Sequence, residues 1–267
     1  MKQIGRGRTA DIFEYGDHQI LKLYKEGFPE DFIQREFEAS QFVCSVGIPS
    51  PQAYELVSQD GRLGIVFERA SGVSLLSVMS KQMWLLGKHS RTLAALHYDL
   101  HTRSASGRIR KQKAVLSEQI QTAPLLTDEE KNSILRYLKA LPDDDKLCHG
   151  DFHPDNVLVG NGNRVIDWMT GMSGNPDGDA ARTILLMSYG TMPDGTPRIV
   201  KAIVQFMRNK LRKVYTKHYL KLSGRPYSKI DSWMLPVAAA RLVEWIPPAE
   251  KNSLLELIRE RLRSNSS

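Results

Sequence analysis

The sequence of 267 residues has little of what marks secreted or membrane-bound proteins. Two cysteines, Cys44 and Cys148, are too few for a disulfide framework and suit a reducing compartment. No run of about 18 apolar residues occurs, so we expect no membrane-spanning helix. The opening MKQIGRGRTADIF has neither a long apolar stretch nor a small-residue cleavage site, and it does not indicate a secretory leader. These absences predict a cytoplasmic protein that does not act at a membrane.

Zinc-type spacings of cysteine and histidine are also missing, as are internal repeats. What the chain does have is the composition of a globular protein, with 41% hydrophobic and 25% charged residues. A chain of this length can bury one large core or two smaller ones. Composition therefore predicts one large domain or two lobes.

Charge is spread unevenly along the chain. Residues 181–267 contain 16 Lys and Arg against 6 Asp and Glu, whereas the whole chain has a formal net charge of +7. The remainder is thus slightly acidic. A basic region of this kind can face anions, or it can be the solvated surface of basic helices. Both interpretations stay open.

The first 70 residues favour β-structure. Three short segments, KQIGRG, DIFEYG and HQILKLYK, combine β-branched and aromatic residues with turns that contain glycine. The segment PEDFIQREFEASQFVCSVG has helical periodicity and ends at Gly47. The predicted inner face of this helix includes Phe32, Ile33, Glu36 and Val43. Two further strands, AYELVS and LGIVFE, flank an Asp-Gly hairpin turn.

Beyond the segment RASG the pattern becomes helical, and we place the hinge near Glu68–Gly72. Thr127, three residues before Glu130, is predicted to cap one of these helices. The pattern predicts an α+β fold with two lobes. A small antiparallel, β-rich lobe with one helix would span residues 1–70, and a larger, mainly helical lobe would span residues 71–267.

The stretch CHGDFHPDNVLVGNGNRVIDW, residues 148–168, concentrates polar residues ahead of an apolar hairpin. Asp151 and Asn156 are five positions apart in a predicted loop, and the hairpin returns the chain to Asp167. A carboxylate can orient a hydroxyl group and accept its proton. An amide carbonyl and a second carboxylate are oxygen ligands that suit Mg²⁺. The spacing predicts a phosphoryl-transfer site, with a plain polar turn as the alternative.

The pattern HGDFHPDNVLV…VIDW resembles the catalytic loop and metal-binding aspartate of the aminoglycoside phosphotransferase and choline kinase family, relatives of the protein kinases. Here Gly150 stands where protein kinases usually have arginine, and D-F-G becomes D-W-M. The resemblance implies a protein-kinase-like bilobal fold that transfers the γ-phosphate of ATP to a hydroxyl of a small molecule. It implies Asp151 as the catalytic base, and Asn156 and Asp167 as ligands of Mg²⁺.

The front of the chain carries a second resemblance, to the glycine-rich loop of this family. In IGRGRTADIF, Gly5 and Gly7 are followed by Ala10 where a third glycine would stand. Backbone N–H groups in such a turn can approach phosphate oxygens because no Cβ intrudes. The resemblance implies that Gly5 and Gly7 bind the nucleotide and that Ile12 covers the adenine. As a free-standing motif, such a segment is more often a plain hairpin turn.

Lys22, on the third predicted strand, resembles the lysine that holds the α- and β-phosphates. Its partner should be a glutamate of the following helix. Glu36 is on the predicted inner face, whereas Glu38 is on the solvated face, and we therefore choose Glu36. After the fifth strand, the resemblance implies that the carbonyl of Glu68 and the N–H of Ala70 meet the adenine edge.

Downstream, NPDGDAAR resembles the family segment G-D-P-x-x-D-L-A, which implies that Asp179 is a structural anchor near the acceptor pocket or the catalytic loop. Few residues separate Asp167 from Asp179, and no A-P-E sequence follows. This leaves little room for the activation segment and docking platform of a protein kinase. His97 and His101 are expected to be packing residues, since LAALH is similar to a common helix of the family.

The acceptor is the least determined part of the prediction. The family phosphorylates aminoglycosides, choline, ethanolamine, methylthioribose and sugars. A polycationic antibiotic favours an acidic pocket, whereas the basic region 181–267 favours a neutral or anionic hydroxyl compound. Glu244 and Asp231 could nevertheless supply acidic groups.

Two alternatives stay open. One is a small protein kinase. The other is a nucleotide-binding regulatory module whose basic surface, around MRNKLRKVYTKHYLKL, faces nucleic acid, although an amphipathic surface helix also explains that segment. The predicted cofactors are ATP and Mg²⁺, and the predicted partner is a small hydroxyl substrate; whether GTP replaces ATP is not predicted. We do not expect nucleic acid as a partner, and the oligomeric state is not predicted.

Overall fold

The computed structural model describes residues 1–189 and 196–265. Its strands are short and are, in chain order, β1 (Gln3–Arg6), β2 (Ala10–Tyr15), β3 (Gln19–Tyr24), β4 (Ala53–Gln59), β5 (Arg62–Glu68), β6 (Val73–Ser74), β7 (Lys146–Cys148), β8 (Val157–Gly160), β9 (Gly162–Val165) and β10 (Met172–Gly174). Its helices are α1 (Glu30–Ser45), α2 (Leu75–Lys81), α3 (Leu86–Leu100), α4 (Gln112–Thr122), α5 (Asp128–Ala140), α6 (Pro176–Tyr189), α7 (Arg198–Ser223), α8 (Tyr227–Asp231), α9 (Met234–Arg241) and α10 (Pro248–Asn265).

The chain forms two compact units. The first unit consists of Met1–Ser80 together with Pro154–Gly171, and the second of Lys81–His153 together with Met172–Ser267. Strands dominate the first and helices the second, so the α+β prediction, with an antiparallel sheet in the N-terminal region, is confirmed. None of the described helices is long and apolar enough to cross a membrane.

The first unit is built on an antiparallel sheet with the strand order β1-β2-β3-β5-β4. The side chains Leu21, Leu23 and Val66 pack together on one face, and Tyr24, Ile65 and Ile33 of α1 on the other. Because side chains alternate along a strand, Lys22 shares the face of Tyr24. The sheet therefore directs Lys22 toward α1.

Helix α1 buries most of its predicted inner face. Ile33, Glu36 and Val43 are buried, as expected. The expectation for Phe32 was wrong, because its side chain is 41% exposed. It lies in the first turn of the helix, where its ring packs beside Phe28 and beneath the guanidinium of Arg35.

The predicted hairpins of the first unit are confirmed. Asp60 and Gly61, which join β4 and β5, have φ angles of 52° and 72°, as a two-residue turn of this type requires. Strands β8 and β9 also pair, and β6 pairs with β8. Gly72 ahead of β6 has to be small, because a Cβ there would lie 2.4 Å from the carbonyl oxygen of Val159.

In the second unit, α3 packs along α7, and α9 is buried among α4, α5, α6 and α10. The predicted cap of α5 is confirmed, since Thr127 and Glu130 exchange side-chain to backbone hydrogen bonds. Strands β7 and β10 pair with Met172 opposite Cys148, which brings the residues after β7 beside the chain entering α6. Helix α6 was not predicted, although Pro176 at its start and acidic residues in its first turn are helix-start signals.

Candidate functional site

The first unit holds a lysine between two carboxylates. The Nζ of Lys22 donates to Oε1 of Glu36 at 2.6 Å and to Oδ1 of Asp167 at 3.0 Å. Strand β3 supplies the lysine, α1 supplies Glu36, and Asp167 follows β9. We call these residues, together with Tyr24, the lysine cluster. The structure thus pairs Lys22 with Glu36, as predicted, and not with Glu38, which receives a hydrogen bond from Gln34 on an exposed part of α1.

The lysine cluster keeps Lys22 charged. Burial by itself disfavours an ammonium cation, but the carboxylates of Glu36 and Asp167 outweigh this and raise the pKa of Lys22 above its ordinary value. The Lys22 side chain retains 14% exposure and that of Asp167 43%, whereas Glu36 is 1% exposed. A cation with this restricted access to solvent is suited to phosphate oxygens.

Tyr24 is a member of the cluster that the sequence reasoning missed. Its hydroxyl donates to Oε2 of Glu36 at 2.5 Å, so both oxygens of this buried carboxylate have partners. Burial and the nearby Glu36 raise the pKa of Tyr24, which keeps the hydroxyl protonated as a donor. The available signal was spacing, since residues two apart on a strand share a face.

Asp167 has an unusual backbone, with φ 68° and ψ 67°. Aspartate tolerates this left-handed conformation better than most residues, and such conformations often occur at functional sites. The next residue, Trp168, is buried, and its indole N–H donates to the hydroxyl of Ser50 at 3.1 Å. A turn over Trp168–Thr170 packs against α1. Asp167 is therefore held by the same helix that carries Glu36.

Asn156 and Asp167 are brought to the same level by the β8–β9 hairpin. The backbone N–H of Ile166, next to Asp167, donates to the backbone oxygen of Asn156 at 3.0 Å. Asn156 is largely buried, with 7% exposure. One carboxylate and one amide oxygen at the base of one hairpin fit the donor preference of Mg²⁺.

The predicted glycine-rich loop is the turn between β1 and β2. Gly5 lies opposite Ile12, and a Cβ at position 5 would lie 3.3 Å from the Cβ of Ile12. The N–H of Gly7 donates to the carbonyl of Ala10 at 2.7 Å. In this conformation the N–H of Gly7 closes the turn, so binding a phosphate there requires the turn to open.

The predicted adenine-binding segment follows β5. The N–H of Glu68 donates to the carbonyl of Gln52 at 2.8 Å, and the side chain of Glu68 pairs with Arg164 at 2.6 Å. Ala70, two residues on, is half-buried outside any strand. These contacts fix the end of β5 and leave the adenine contacts of Glu68 and Ala70 a prediction.

In the second unit, residues 149–153 form a loop that carries Asp151, which we call the Asp151 loop. Asp179 of α6 accepts the N–H of His149 at 2.6 Å and the N–H of Gly150 at 2.8 Å. Thr183 of α6 donates to the carbonyl of Phe152 at 2.9 Å. Gly150 has φ 77°, a conformation that favours glycine. Asp179 thus anchors the Asp151 loop, the segment that resembles the catalytic loop of the family.

The Asp151 carboxylate, 32% exposed, faces two cationic or hydrogen-bonding groups. Nε2 of His153 lies 3.4 Å from Oδ2, and Nη2 of Arg182 lies 3.4 Å from Oδ1. Burial raises the pKa of Asp151, but the contact with His153 and the charge of Arg182 outweigh it and hold this pKa well below its ordinary value. Asp151 is therefore a carboxylate throughout the neutral range.

Beneath the Asp151 loop lies a buried network centred on Asp179. Nε2 of His97 and Nε2 of His101 lie 3.0 and 3.2 Å from Oδ2 of Asp179. The Nδ1 atoms of the two histidines each lie 2.6 Å from a hydroxyl, that of Tyr215 for His97 and that of Tyr219 for His101. A carboxylate only accepts, so both histidines donate to it from Nε2, and the neutral ring of His97 then accepts at Nδ1 from Tyr215.

The network explains why Asp179 stays charged although it is fully buried. Burial opposes the carboxylate, but His97 and His101 hold its pKa well below the ordinary value. Burial and the neighbouring His101 lower the pKa of His97 to about 4. His97, His101 and Asp179 are donor types that could hold a metal ion, but the facing atoms already have hydrogen-bond partners. They are packing residues, as expected, with a polar role in addition.

Arg182 and Glu244 were not predicted to act at the Asp151 loop. Arg182 pairs with Glu244 through Nη1 and Oε1 at 2.6 Å. The sequence contained one usable signal, because Asp179, Arg182 and Thr183 are spaced to lie on one face of a helix. That signal depends on recognising α6.

No curated protein matches this chain at a significant level. Solved structures do match, and several aminoglycoside phosphotransferases are among them. A thermostable mutant of APH(4)-Ia in a ternary complex with AMP-PNP and hygromycin B is 16% identical, with a TM-score of 0.63 over 98% of this chain and 91% of that chain. The type VIII aminoglycoside-3'-phosphotransferase is 16% identical, with a TM-score of 0.61 over 90% of this chain and 91% of that chain. The streptomycin-ATP-APH(2")-IIa complex is 17% identical, with a TM-score of 0.54 over 96% of this chain and 90% of that chain.

These similarities establish the fold, and the family follows from the sequence. The APH family model, described as the phosphotransferase enzyme family, matches residues 1–213, which is most of the chain. The match includes the lysine cluster, the Asp151 loop and Asp179. It confirms the prediction of a kinase-type enzyme that acts on a small molecule: the chain belongs to the phosphotransferase enzyme family.

Proposed function

We propose that this phosphotransferase moves the γ-phosphoryl group of ATP to a hydroxyl of a neutral or anionic small molecule, with Mg²⁺ as cofactor. The observation that carries the proposal is the position of Lys22 between Glu36 and Asp167. A lysine that is kept charged and oriented by two carboxylates is suited to bind a polyphosphate. In this proposal residues 1–70 bind the nucleotide and residues 71–267 bind the acceptor.

The roles of the residues follow from their chemistry. Lys22, oriented by Glu36, would bind α- and β-phosphate oxygens. Asn156 and Asp167 would hold Mg²⁺, which supplies charge neutralisation for the phosphates when bound. Gly5, Gly7 and Ile12 would contact phosphate and adenine, and Glu68 and Ala70 the adenine edge, through backbone groups.

Asp151 would receive the acceptor. Its carboxylate accepts the hydroxyl hydrogen and orients the oxygen toward the γ-phosphorus. The new bond forms between that oxygen and phosphorus, while the bond from phosphorus to the β–γ bridging oxygen breaks and ADP leaves. The hydroxyl proton passes to Asp151 and then to solvent. A weakly basic carboxylate is sufficient, since phosphoryl transfer depends mainly on positioning and charge stabilisation.

The acceptor class is inferred from charge. The two acidic residues that could have attracted an amine are both engaged by arginine. Glu244 pairs with Arg182 and with Arg241, at 2.6 and 2.8 Å. The carboxylate of Asp231 receives two hydrogen bonds from Arg261. With residues 181–267 strongly basic as well, the charges favour a neutral or anionic hydroxyl compound over a polycationic aminoglycoside.

The test is an ADP-release screen with Mg-ATP over sugars, sugar acids, amino alcohols, nucleosides and aminoglycosides. We expect turnover with a neutral or anionic member that is lost in Asp151→Asn and kept in Asp155→Asn, a matched change of an exposed neighbour. Turnover with aminoglycosides alone would contradict the acceptor class. Equal turnover by the wild type and the Asp151→Asn variant would contradict the role of Asp151.

Two parallel measurements test the cofactor and nucleotide. Asp167→Asn should raise the Mg²⁺ concentration needed for half-maximal turnover by about tenfold, since one carboxylate ligand is lost. Comparing turnover with ATP and with GTP tests which nucleobase the enzyme accepts, because a related aminoglycoside 2'-phosphotransferase has been solved as its GDP complex.

Phosphorylation of a general protein substrate without turnover of any metabolite would favour the protein-kinase alternative instead. Strongly salt-dependent binding to nucleic acid, without turnover, would favour the regulatory module.

A further inference from the structure

We propose that Arg182 is a positioning residue that orients Asp151 and the loop around it, and that Glu244 holds Arg182 in place. The inference rests on the proposed function, in which Asp151 receives the acceptor hydroxyl. It assigns a role to two residues that the mechanism does not otherwise use, and it reassigns Glu244 from a possible acceptor contact to a support of the loop.

The first observation is that all three nitrogens of the Arg182 guanidinium have separate partners. Nη2 lies 3.4 Å from Oδ1 of Asp151, Nε donates to the carbonyl of Gly150 at 3.1 Å, and Nη1 lies 2.6 Å from Oε1 of Glu244. The Arg182 side chain is only 12% exposed. A planar group bound on three sides has a fixed position, so it transmits that position to the two loop residues.

The second observation concerns the lengths of these contacts. The contact with Glu244 is short, whereas the contact with Asp151 is longer than an ordinary charge-assisted hydrogen bond. Arg182 is thus fixed mainly from the side of Glu244. Toward Asp151 it acts as an oriented positive charge, which turns the carboxylate without tying it tightly. This arrangement suits a carboxylate that has to accept a hydroxyl group.

Glu244 is itself fixed by a second arginine. Its Oε2 lies 2.8 Å from Nη1 of Arg241, and Arg241 binds Glu250 of α10 through Nε at 3.0 Å. Charges therefore alternate from Asp151 through Arg182, Glu244 and Arg241 to Glu250. Glu244 is shared by two cations, so an amine of the acceptor would have to compete with both.

The position of Arg182 in α6 also favours a role in orienting Asp151. Arg182 lies one residue before Thr183 and three after Asp179, and all three hold the Asp151 loop from α6. Asp179 and Thr183 bind backbone groups of that loop, whereas Arg182 binds a backbone group and also the Asp151 side chain. Arg182 therefore links the position of the loop to the orientation of the carboxylate.

The test compares Arg182→Gln, Arg182→Lys and Glu244→Gln with the wild type, using phosphate release from Mg-ATP with water as the acceptor and the best acceptor from the screen. The matched control is Arg261→Gln, which breaks another arginine–aspartate pair of the same unit. For a positioning residue we expect Arg182→Gln to lower kcat about 100-fold with KM for ATP nearly unchanged. Arg182→Lys should recover part of kcat, and Arg261→Gln should leave it unchanged.

A second readout does not depend on turnover. The carboxyl carbon of Asp151, observed by NMR with ¹³C-labelled aspartate and assigned with Asp151→Asn, should titrate at a higher pH in Arg182→Gln than in the wild type, because a facing cation is gone. His149 and His153 are the other titratable groups that face this carboxylate, and both remain in the variant. An unchanged titration together with an unchanged kcat would overturn the inference.

The outcomes separate the two levels of the proposal. If Asp151→Asn abolishes turnover while Arg182→Gln and Glu244→Gln keep it, the inference fails and the proposed function stands. If Asp151→Asn leaves turnover intact, the proposed role of Asp151 fails. If Arg182→Gln does not fold, Glu244→Gln decides. In Glu244→Gln, a lower kcat with an unchanged KM supports a positioning role. A raised KM for the acceptor with an unchanged kcat would show instead that Glu244 binds the acceptor, and it would overturn the inference.

Discussion

The Nζ of Lys22 lies 2.6 Å from Oε1 of Glu36, although β3 and α1 contribute them separately and 14 positions separate them in the chain. The pair is shielded from water, and the hydroxyl of Tyr24 occupies the second oxygen of Glu36. One N–H of the Lys22 ammonium consequently points to Glu36 of α1, and another points to Asp167. The orientation of Lys22, the proposed phosphate-binding cation, is thus set by residues of the first unit themselves.

We first predict that Glu36→Gln reduces kcat/KM for ATP on the order of 100-fold. An amide keeps the shape of the side chain but removes the charge that orients Lys22. The measurement is steady-state turnover over a range of ATP concentrations. Glu38→Gln is the matched control, since Glu38 is on the exposed side of the same helix and contacts Gln34. Equal losses in both variants would show that α1 acts only through its stability.

The second prediction concerns pH and turnover. Because the pKa of Asp151 is held well below its ordinary value, its carboxylate is charged from about pH 5 upward. Asp151 should therefore contribute no acid limb to kcat between pH 5 and 8. In Arg182→Gln the positive charge that faces Asp151 is removed, so the pKa of Asp151 should rise. The fall of kcat at acid pH should then begin at a higher pH than in the wild type. A wild-type kcat that already falls steeply between pH 8 and pH 5 would contradict the prediction.

The third prediction concerns pH and stability. Burial lowers the pKa of His97 to about 4 from an ordinary value of 6.5, so the unfolded chain binds this proton more readily than the folded one. The contribution of neutral His97 to the unfolding free energy is complete above pH 6.5 and is lost as the pH falls toward 4. The difference corresponds to about 3 kcal/mol of unfolding free energy.

Urea unfolding at pH 7.5 and pH 4.5 measures this effect. The wild type should lose more unfolding free energy between the two pH values than His97→Gln, by about 3 kcal/mol at most. The groups facing His97 are Asp179, His101, His149 and Tyr215, and all remain in the variant. Equal losses in the two proteins would mean that the pKa of His97 is the same in the folded and the unfolded chain.

The fourth prediction uses two glycines with similar backbones. Gly150 and Gly107 have φ angles of 77° and 67°, so alanine at either position costs about 1–2 kcal/mol in unfolding free energy. Gly150→Ala should also reduce kcat, because the strain falls on the Asp151 loop. Gly107→Ala lies in a loop with open space around it and should leave kcat unchanged. A fall in kcat in both variants would indicate a general loss of stability.

The residues of the lysine cluster show how far sequence reasoning reaches. Alternation along β3 and periodicity along α1 were enough to choose Glu36 over Glu38, because both elements are regular and buried on one side. The same periodicity misplaced Phe32. Periodicity predicts which way a side chain points from the helix, but it does not predict how far along the helix the neighbouring sheet extends to cover it. Tyr24 was missed because its role depends on a hydroxyl reaching a specific oxygen.

The second unit shows where the reasoning stops. Asp151 and Asp179 were found through a resemblance, but Arg182 and Glu244 come from two helical regions whose contact depends on tertiary packing. The sequence around Pro176 reads locally as a turn, so α6 and its loop-facing side remained hidden. The domain division and the roles of the individual site residues stay predictions.

Helix α6 presents Asp179, Arg182 and Thr183 to the Asp151 loop from within two turns. The position of the loop is consequently set by the helix, and the loop is not an independent part of the molecule. Exchanging the acceptor specificity of this enzyme by grafting the loop alone should therefore fail. A transplant that brings its own geometry would have to include α6 and Glu244 along with residues 149–153.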